Sequence, residues 1–265
     1  IPQPPMICAA PPQAPVMNAF AANSKEGASF AKFQTDVPIP KLGELHEKFN
    51  LPANSTCEVL VMVAASSVNP SDVTPSVGRD DTEEVVLGSD VAGIVVQVQP
   101  DKCTRFKVGD SVWGDIGANA HLAKSRKKTK ELGGYAEYAV ALETQLGHKP
   151  ETLSFVEAGS LPKVALTSYK ALVWYADAQG WAKSDSNVTV LVLGGSGGTG
   201  TTGTQLAKHF GASKIITSCG ADNFEYCKAN GADQVSLIFH VLQVHSHTVI
   251  PPFIPSTLLC SVTVD

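Results

Sequence analysis

The stretch Val188–Thr201, VTVLVLGGSGGTGT, decides the reading of the chain. It opens as a continuous apolar run of strand length and closes as a glycine cluster. Thr202–Phe210 (TGTQLAKHF) follows with helical spacing, so the cluster joins a buried strand to a helix. In that position Gly195-x-Gly197-x-x-Gly200 is the pattern of a dinucleotide-binding turn. Gly195 lets the chain turn sharply off the strand. Gly197 places no Cβ between backbone and pyrophosphate, and Gly200 lets the helix pack close to the sheet. Gly195, Ser196, Gly197, Gly198, Thr199 and Gly200 are therefore the expected anion site, with N–H groups at the helix N-terminus facing the phosphates.

Lys214–Ser218 (KIITS) reads as a second strand, and Phe224–Asn230 as a second helix closed by Gly231. Strand, glycine turn, helix and strand are the opening of a doubly wound parallel sheet. An Asp or Glu ending the second strand would bind a ribose 2′-hydroxyl and repel a 2′-phosphate. The chain has Ser218, Cys219 and Gly220 there, with Asp222 only further along. Small neutral residues leave room for the phosphate, which favours NADPH over NADH, and Asn223 is the nearest polar candidate to meet it. On the amino-terminal side, Leu153–Tyr175 reads as a helix, a break at Pro162 and a second amphipathic helix, which puts a domain boundary between 150 and 165.

The first half has a different texture. Glu58–Ala64 (EVLVMVA) is apolar on both faces, as a doubly buried strand requires. Asp90–Val98, Phe106–Trp113 and Tyr135–Val140 are further β-rich runs, separated by Gly and Pro. The expected organisation is a Pro-rich extension over 1–16, a β-barrel-like domain over 17–155, a nucleotide domain over 156–235 and a tail over 236–265.

Of 265 residues, 43% are hydrophobic and 17% charged, enough for a packed core. With 20 Lys and Arg against 25 Asp and Glu, the net charge of -5 gives no electrostatic case for nucleic acid. The basic run 124–130 (KSRKKTK) reads as a solvated loop, and no uncharged apolar run is long enough to span a membrane. Residues 1–24 hold six prolines and no charge, unlike an intact import presequence. The six cysteines contain no C-x-x-C pair, which excludes the usual ribbon or finger spacing for zinc. They read as reduced thiols of an intracellular protein, with the cytoplasm as the expected compartment and an organellar matrix as the alternative. The N-x-[ST] triplets at Asn54 and Asn187 read as chance.

Taken together, SSVNPSDV (66–73), LGSDVAGIVVQV (87–98), FKVGDSVWG (106–114), GGYAEYAV (133–140), AGSLPKVALTSYKAL (158–172), LVLGGSGGTG (191–200) and ANGADQV (229–235) resemble the medium-chain dehydrogenase/reductase superfamily. The branch they resemble is that of the zinc-free, zeta-crystallin-like quinone oxidoreductases. The resemblance implies an α/β protein with a GroES-like β-barrel domain beside a partial Rossmann domain, and an active site in the cleft between them. Zinc-bearing relatives carry a thiolate at the place of Asn69 and a His-Glu pair at that of Ser89–Asp90. Asn and Ser do not replace such ligands, so metal-free catalysis is expected. Hydride delivery to a quinone or an α,β-unsaturated carbonyl then follows, since conjugation moves the charge onto an oxygen that ordinary donors stabilise. By this resemblance Asn69 donates to the oxyanion, Ser71 relays a proton, and Thr167 lies beside the cofactor. The bland alternative is that Asn69 and Ser71 hold the Pro70 turn. A Tyr that some members carry two residues past the motif's Asp is Thr74 here.

Two other functions stay open: a 2-enoyl-thioester reductase, or an inactive binding protein. After Val235 the family pattern stops, and the last residues read as a tail of little order. His240, His245 and His247 in it are taken as accidental, with no metal expected. Family dimers often form through a Rossmann edge that this chain lacks, so a homodimer is left open.

Overall fold

A computed structural model of the chain describes residues 12, 15–23, 31–49, 56–73, 84–117, 133–183, 187–237 and 260–264. The basic run 124–130, Asn54, Thr74 and the three tail histidines lie outside the described residues. The chain divides into two compact units, Ile1–Lys163 and Val164–Asp265.

The first unit contains β1 (Val16–Asn23), β2 (Lys32–Pro38), α1 (Glu44–Phe49), β3 (Glu58–Ala65), α2 (Pro70–Val73), β4 (Glu84–Val86), β5 (Asp90–Val98), β6 (Ser111–Asp115), β7 (Tyr138–Leu142), β8 (Leu146–His148), α3 (Phe155–Gly159) and the start of α4 (Pro162–Tyr169). One sheet has the order β7-β3-β5-β6-β8 and a second the order β2-β1-β4, all antiparallel. A bridge between Ala19 and Ala136 links the two. The apolar alternation of β3 finds a use for both faces. Val59 and Val61 enter a core with Val91, Val95 and Val112, while Leu60 packs with Val96, Val140 and Leu45 of α1.

β6 begins at Ser111, not at Phe106 as the sequence suggests. Phe106 is a core residue, but Lys107–Asp110 closes a turn in which Asp110 N–H donates to Lys107 O across 3.2 Å. The cysteines also need correction. Cys57 and Cys103 are joined as a disulfide across 46 positions, with Cα atoms 5.0 Å apart, while Cys219 and Cys227 are free and buried. Pairing of β3 with β5 brings the two together, which spacing along the sequence does not reveal.

The second unit completes α4, which runs on as a π-helical turn at Lys170–Tyr175. Then come β9 (Val188–Leu193), α5 (Gly198–His209), β10 (Lys214–Cys219), α6 (Phe224–Ala229), β11 (Gln234–Leu237) and β12 (Cys260–Val264). The sheet order is β11-β10-β9-β12, and the first three strands are parallel. The core beneath it gathers Leu172, Trp181, Val190, Ala207 and Ile215. Part of the segment expected to lack order is therefore a strand. β12 runs antiparallel to β9, Cys260 opposite Val192 and Val264 opposite Val188. Its β-branched residues suit a strand, and β9 would otherwise present an open edge.

Candidate functional site

The two units each carry a cluster of the expected site residues. In the first, β3 runs into a polar turn at Ser66–Asn69. Asn69 N–H donates to Asp72 Oδ2, and Asp72 N–H to Asn69 O, each across 2.9 Å, which closes the turn around Pro70. The Asn69 side chain is buried, and Nδ2 donates to Asp90 Oδ2 at 2.8 Å and to Ser67 Oγ at 3.2 Å. Both hydrogens of that amide are thus engaged within the unit. Ser71 is half-buried in the single turn of α2.

Two carboxylates organise this region. Asp90 is fully buried and accepts from Ser67 Oγ, from Asn69 and, at 2.7 Å, from the backbone N–H of Lys163. Burial pushes its pKa up, against the pull of those hydrogen bonds and with some help from the charge of Asp115. Asp72 accepts from Ser89 Oγ at 2.7 Å and from the Tyr135 hydroxyl at 2.9 Å. Burial first, and then the Asp72 charge and hydrogen bond, raise the Tyr135 pKa well above the usual phenol value, so Tyr135 stays a donor. Lys163 Nζ pairs with Asp115 at 2.9 Å.

Tyr135, Asp72 and Lys163 are the residues that sequence reasoning missed. A signal for Tyr135 existed in Gly88, whose φ of +95° is glycine's and whose missing Cβ makes room for the Tyr135 ring. Tyr135 also lines an open, largely apolar cavity of about 580 Å³ together with Phe20, Phe33, Val63 and Val68. The exposure of Phe33 (59%) and Val68 (77%) there marks an uncovered apolar wall.

In the second unit, the glycine turn lies at the carboxyl end of β9, as expected, but its glycines divide the work differently. The left-handed residue is Gly194 (φ +73°), while Gly195 is required because a Cβ would run into the Thr217 side chain of β10. A Cβ on Gly200 would run into Gly194 O, the expected close packing of helix on strand. At Gly197 a Cβ meets, among the described residues, only Gly194 O, at 3.5 Å, so no described group fills the space in front of the turn. α5 starts at Gly198, earlier than the apolar spacing suggests, and Gly197 at its N-cap supplies no side-chain bond.

The Gly195 N–H donates to Ser218 O on β10 at 2.9 Å, and the Gly197 N–H donates within the turn to Gly194 O at 3.0 Å. The donors for an anion are therefore those of the first turn of α5, Gly198–Gly200, rather than of the whole stretch. Ser218 is fully buried, and its Oγ accepts from Gly194 N–H at 3.3 Å, so it braces the turn. Cys219 is buried against Cys227 and Ala232 and does not face solvent. Asn223 is exposed beyond β10, and Ser196 and Thr199 are half-exposed. Thr167 is exposed on α4, while its neighbour Ser168 packs onto α5 by donating to Thr199 O at 2.7 Å.

An antiparallel barrel-type unit followed by a glycine-turn parallel sheet is the build of an alcohol dehydrogenase-like protein. Residues 55–151 match the Alcohol dehydrogenase GroES-like domain family. The 2-methylene-furan-3-one reductase of Solanum lycopersicum is 33% identical over 222 residues, covering 82% of this chain and 51% of that protein. The chloroplastic NADPH-dependent alkenal/one oxidoreductase of Arabidopsis thaliana is 30% identical with the same coverage. The quinone oxidoreductase structure from Coxiella burnetii superposes with a TM-score of 0.64 at 27% identity, covering 86% of this chain and 65% of that one. The mycobacterial Rv1454c structure complexed with NADPH gives 0.62 at 26%, covering 83% and 58%. The family match thus covers the larger part of the first unit, and the likeness to these reductases runs on through the glycine turn. It spans about half the length of the curated relatives it matches. Among the described residues no helix is long and apolar enough to cross a membrane.

Proposed function

We propose that the chain is part of a zinc-independent, NADPH-dependent reductase that reduces a quinone or an α,β-unsaturated carbonyl. The observation that carries this is the N-terminus of α5, without a side-chain cap and with no described group in front of Gly197, at the carboxyl end of β9. The residues fit the cofactor: the Gly198–Gly200 amides hold the pyrophosphate, and Ser196 and Thr199 add hydroxyls. Bound there, NADPH supplies a hydride. Asn223 and the small residues after β10 support NADPH over NADH, as do the names of two similar proteins.

In the first unit, the engagement of both Nδ2 hydrogens supports Asn69 as a positioning residue that fixes the Ser66–Asp72 turn. Direct donation to an oxyanion would break one of those bonds. Ser71 keeps the proton-relay role the resemblance implies, and Tyr135 joins the turn as a permanently protonated donor. An amide, a hydroxyl and a carboxylate already holding three donors support chemistry without zinc at Asn69, Ser89 and Asp90.

The test is NADPH oxidation by the full chain with a simple quinone, an enone and an enoyl thioester. Turnover with quinone or enone is expected. Turnover with the thioester alone, or with none of the three, overturns the reading.

A further inference from the structure

Two cysteines distant in sequence meet at one end of the larger sheet of the first unit. Cys57 directly precedes β3, and Cys103 lies in the turn after β5. The Glu143 carboxylate, from the 3-10 turn after β7, is the third member, and ligand atoms of all three lie within 4.8 Å of one another. Cys57 and Glu143 are buried and Cys103 is half-buried. The turn carrying Asn69 follows the opposite end of β3, so this cluster is separate from the Asp72 and Asp90 network.

We propose that Cys57, Cys103 and Glu143, once the disulfide is reduced, bind a thiophilic divalent metal ion of the zinc and cadmium kind. The disulfide is then the oxidised, metal-free form of the same site. Two sulfurs and a carboxylate suit such an ion, whereas Mg²⁺ and Ca²⁺ take oxygen ligands. The frame exists before an ion arrives. Glu143 N–H donates to Cys57 O at 2.8 Å, and Arg105 Nη1 donates to Glu143 O at 2.6 Å. The backbone N–H groups of Arg105 and Thr104 donate to Glu143 Oε2 at 3.0 and 3.2 Å, and Thr104 Oγ1 reaches Oε1 at 3.3 Å. Donors of this kind orient a ligating carboxylate from behind. Glu58 O lies 3.1 Å from Cys57 Sγ and offers a further oxygen.

Opening the disulfide takes two electrons and two protons from a dithiol, which itself becomes a disulfide. Metal binding then displaces the two thiol protons, leaving two thiolates and a carboxylate around the ion.

The experiment titrates the full chain with Cd²⁺ after anaerobic reduction and removal of the dithiol. Equilibrium dialysis and the thiolate-to-cadmium absorption band are the readouts. The reduced chain is expected to bind Cd²⁺ and the oxidised chain to lack the band. Glu143→Gln should weaken binding by at least about tenfold, Cys103→Ser should remove the band, and Cys219→Ser should change neither. Should a variant fail to fold, thiol alkylation of the reduced wild-type chain decides: Cd²⁺ should shield Cys57 and Cys103. The proposal is overturned if the reduced chain binds no Cd²⁺, if Cys103→Ser binds it equally well, or if the shielded thiols are Cys219 and Cys227.

Discussion

The side-chain amide of Asn69 lies 2.8 Å from the buried carboxylate of Asp90 and donates to it, with its other hydrogen on Ser67 Oγ. That pairing ties the turn after β3 to the first residue of β5. Asn69→Ala removes one of the donors holding Asp90, at a cost of about 1–3 kcal/mol. Asn69→Asp should cost more, because it sets a second carboxylate against the first. Urea unfolding of the two variants measures both. An Asn69→Ala chain as stable as wild type would show that the amide does not support Asp90.

Asp90 also sets a pH dependence. Its folded pKa is raised above the ordinary 3.8, so between those values the folded chain holds more proton than the unfolded one. Stability therefore falls as pH rises from the ordinary carboxylate value through the raised one. Thermal melts at several pH values from about 4 to 7 should show this fall in the wild-type chain and less of it in Asp90→Asn. Equal slopes would contradict the assignment.

Tyr135→Phe deletes a hydroxyl that donates to Asp72 and leaves the ring beside Gly88 in place. Loss of a bond to a charged acceptor should cost about 1.5–3 kcal/mol by urea unfolding. Because the phenol titrates late, the variant should also lose a tyrosinate step at the alkaline end of an ultraviolet titration, not one near the usual phenol pKa.

The glycine turn separates binding from packing. A Cβ at Gly197 meets only Gly194 O among the described residues, so Gly197→Ala should keep stability within about 1 kcal/mol while weakening NADPH binding at least about tenfold. Gly200→Ala pushes a methyl group into Gly194 O and should destabilise the second unit by about 1–3 kcal/mol. Isothermal titration and thermal melts distinguish the two.

Elements whose pattern is local were legible in the sequence. β3, β5, β9 and β10 follow from apolar runs, and α6 from its spacing and the closing Gly231. The start of α5 was not, because its first turn is built of Gly and Thr and shows no apolar period. Pairings across long separations were hidden altogether. Tyr135 meets Asp72 63 positions away, and Cys57 meets Cys103 across 46. The role of Gly195 was hidden for the same reason, since the neighbour that forbids a Cβ there is Thr217 on another strand. Ser218 and Cys219 lie at the predicted strand end, but the cover on both faces of β10 that buries them could not be read from a run of small residues.

The most direct test of the central claim is NADPH binding to the full chain, followed as cofactor fluorescence and as a shift in melting temperature. With the α5 N-terminus as its site, NADPH should bind and raise the melting temperature, by the equivalent of about 2.7 kcal/mol at a hundredfold excess over Kd. Gly197→Ala should abolish most of that shift. No fluorescence change and no shift at millimolar NADPH, or an undiminished shift in Gly197→Ala, would contradict it.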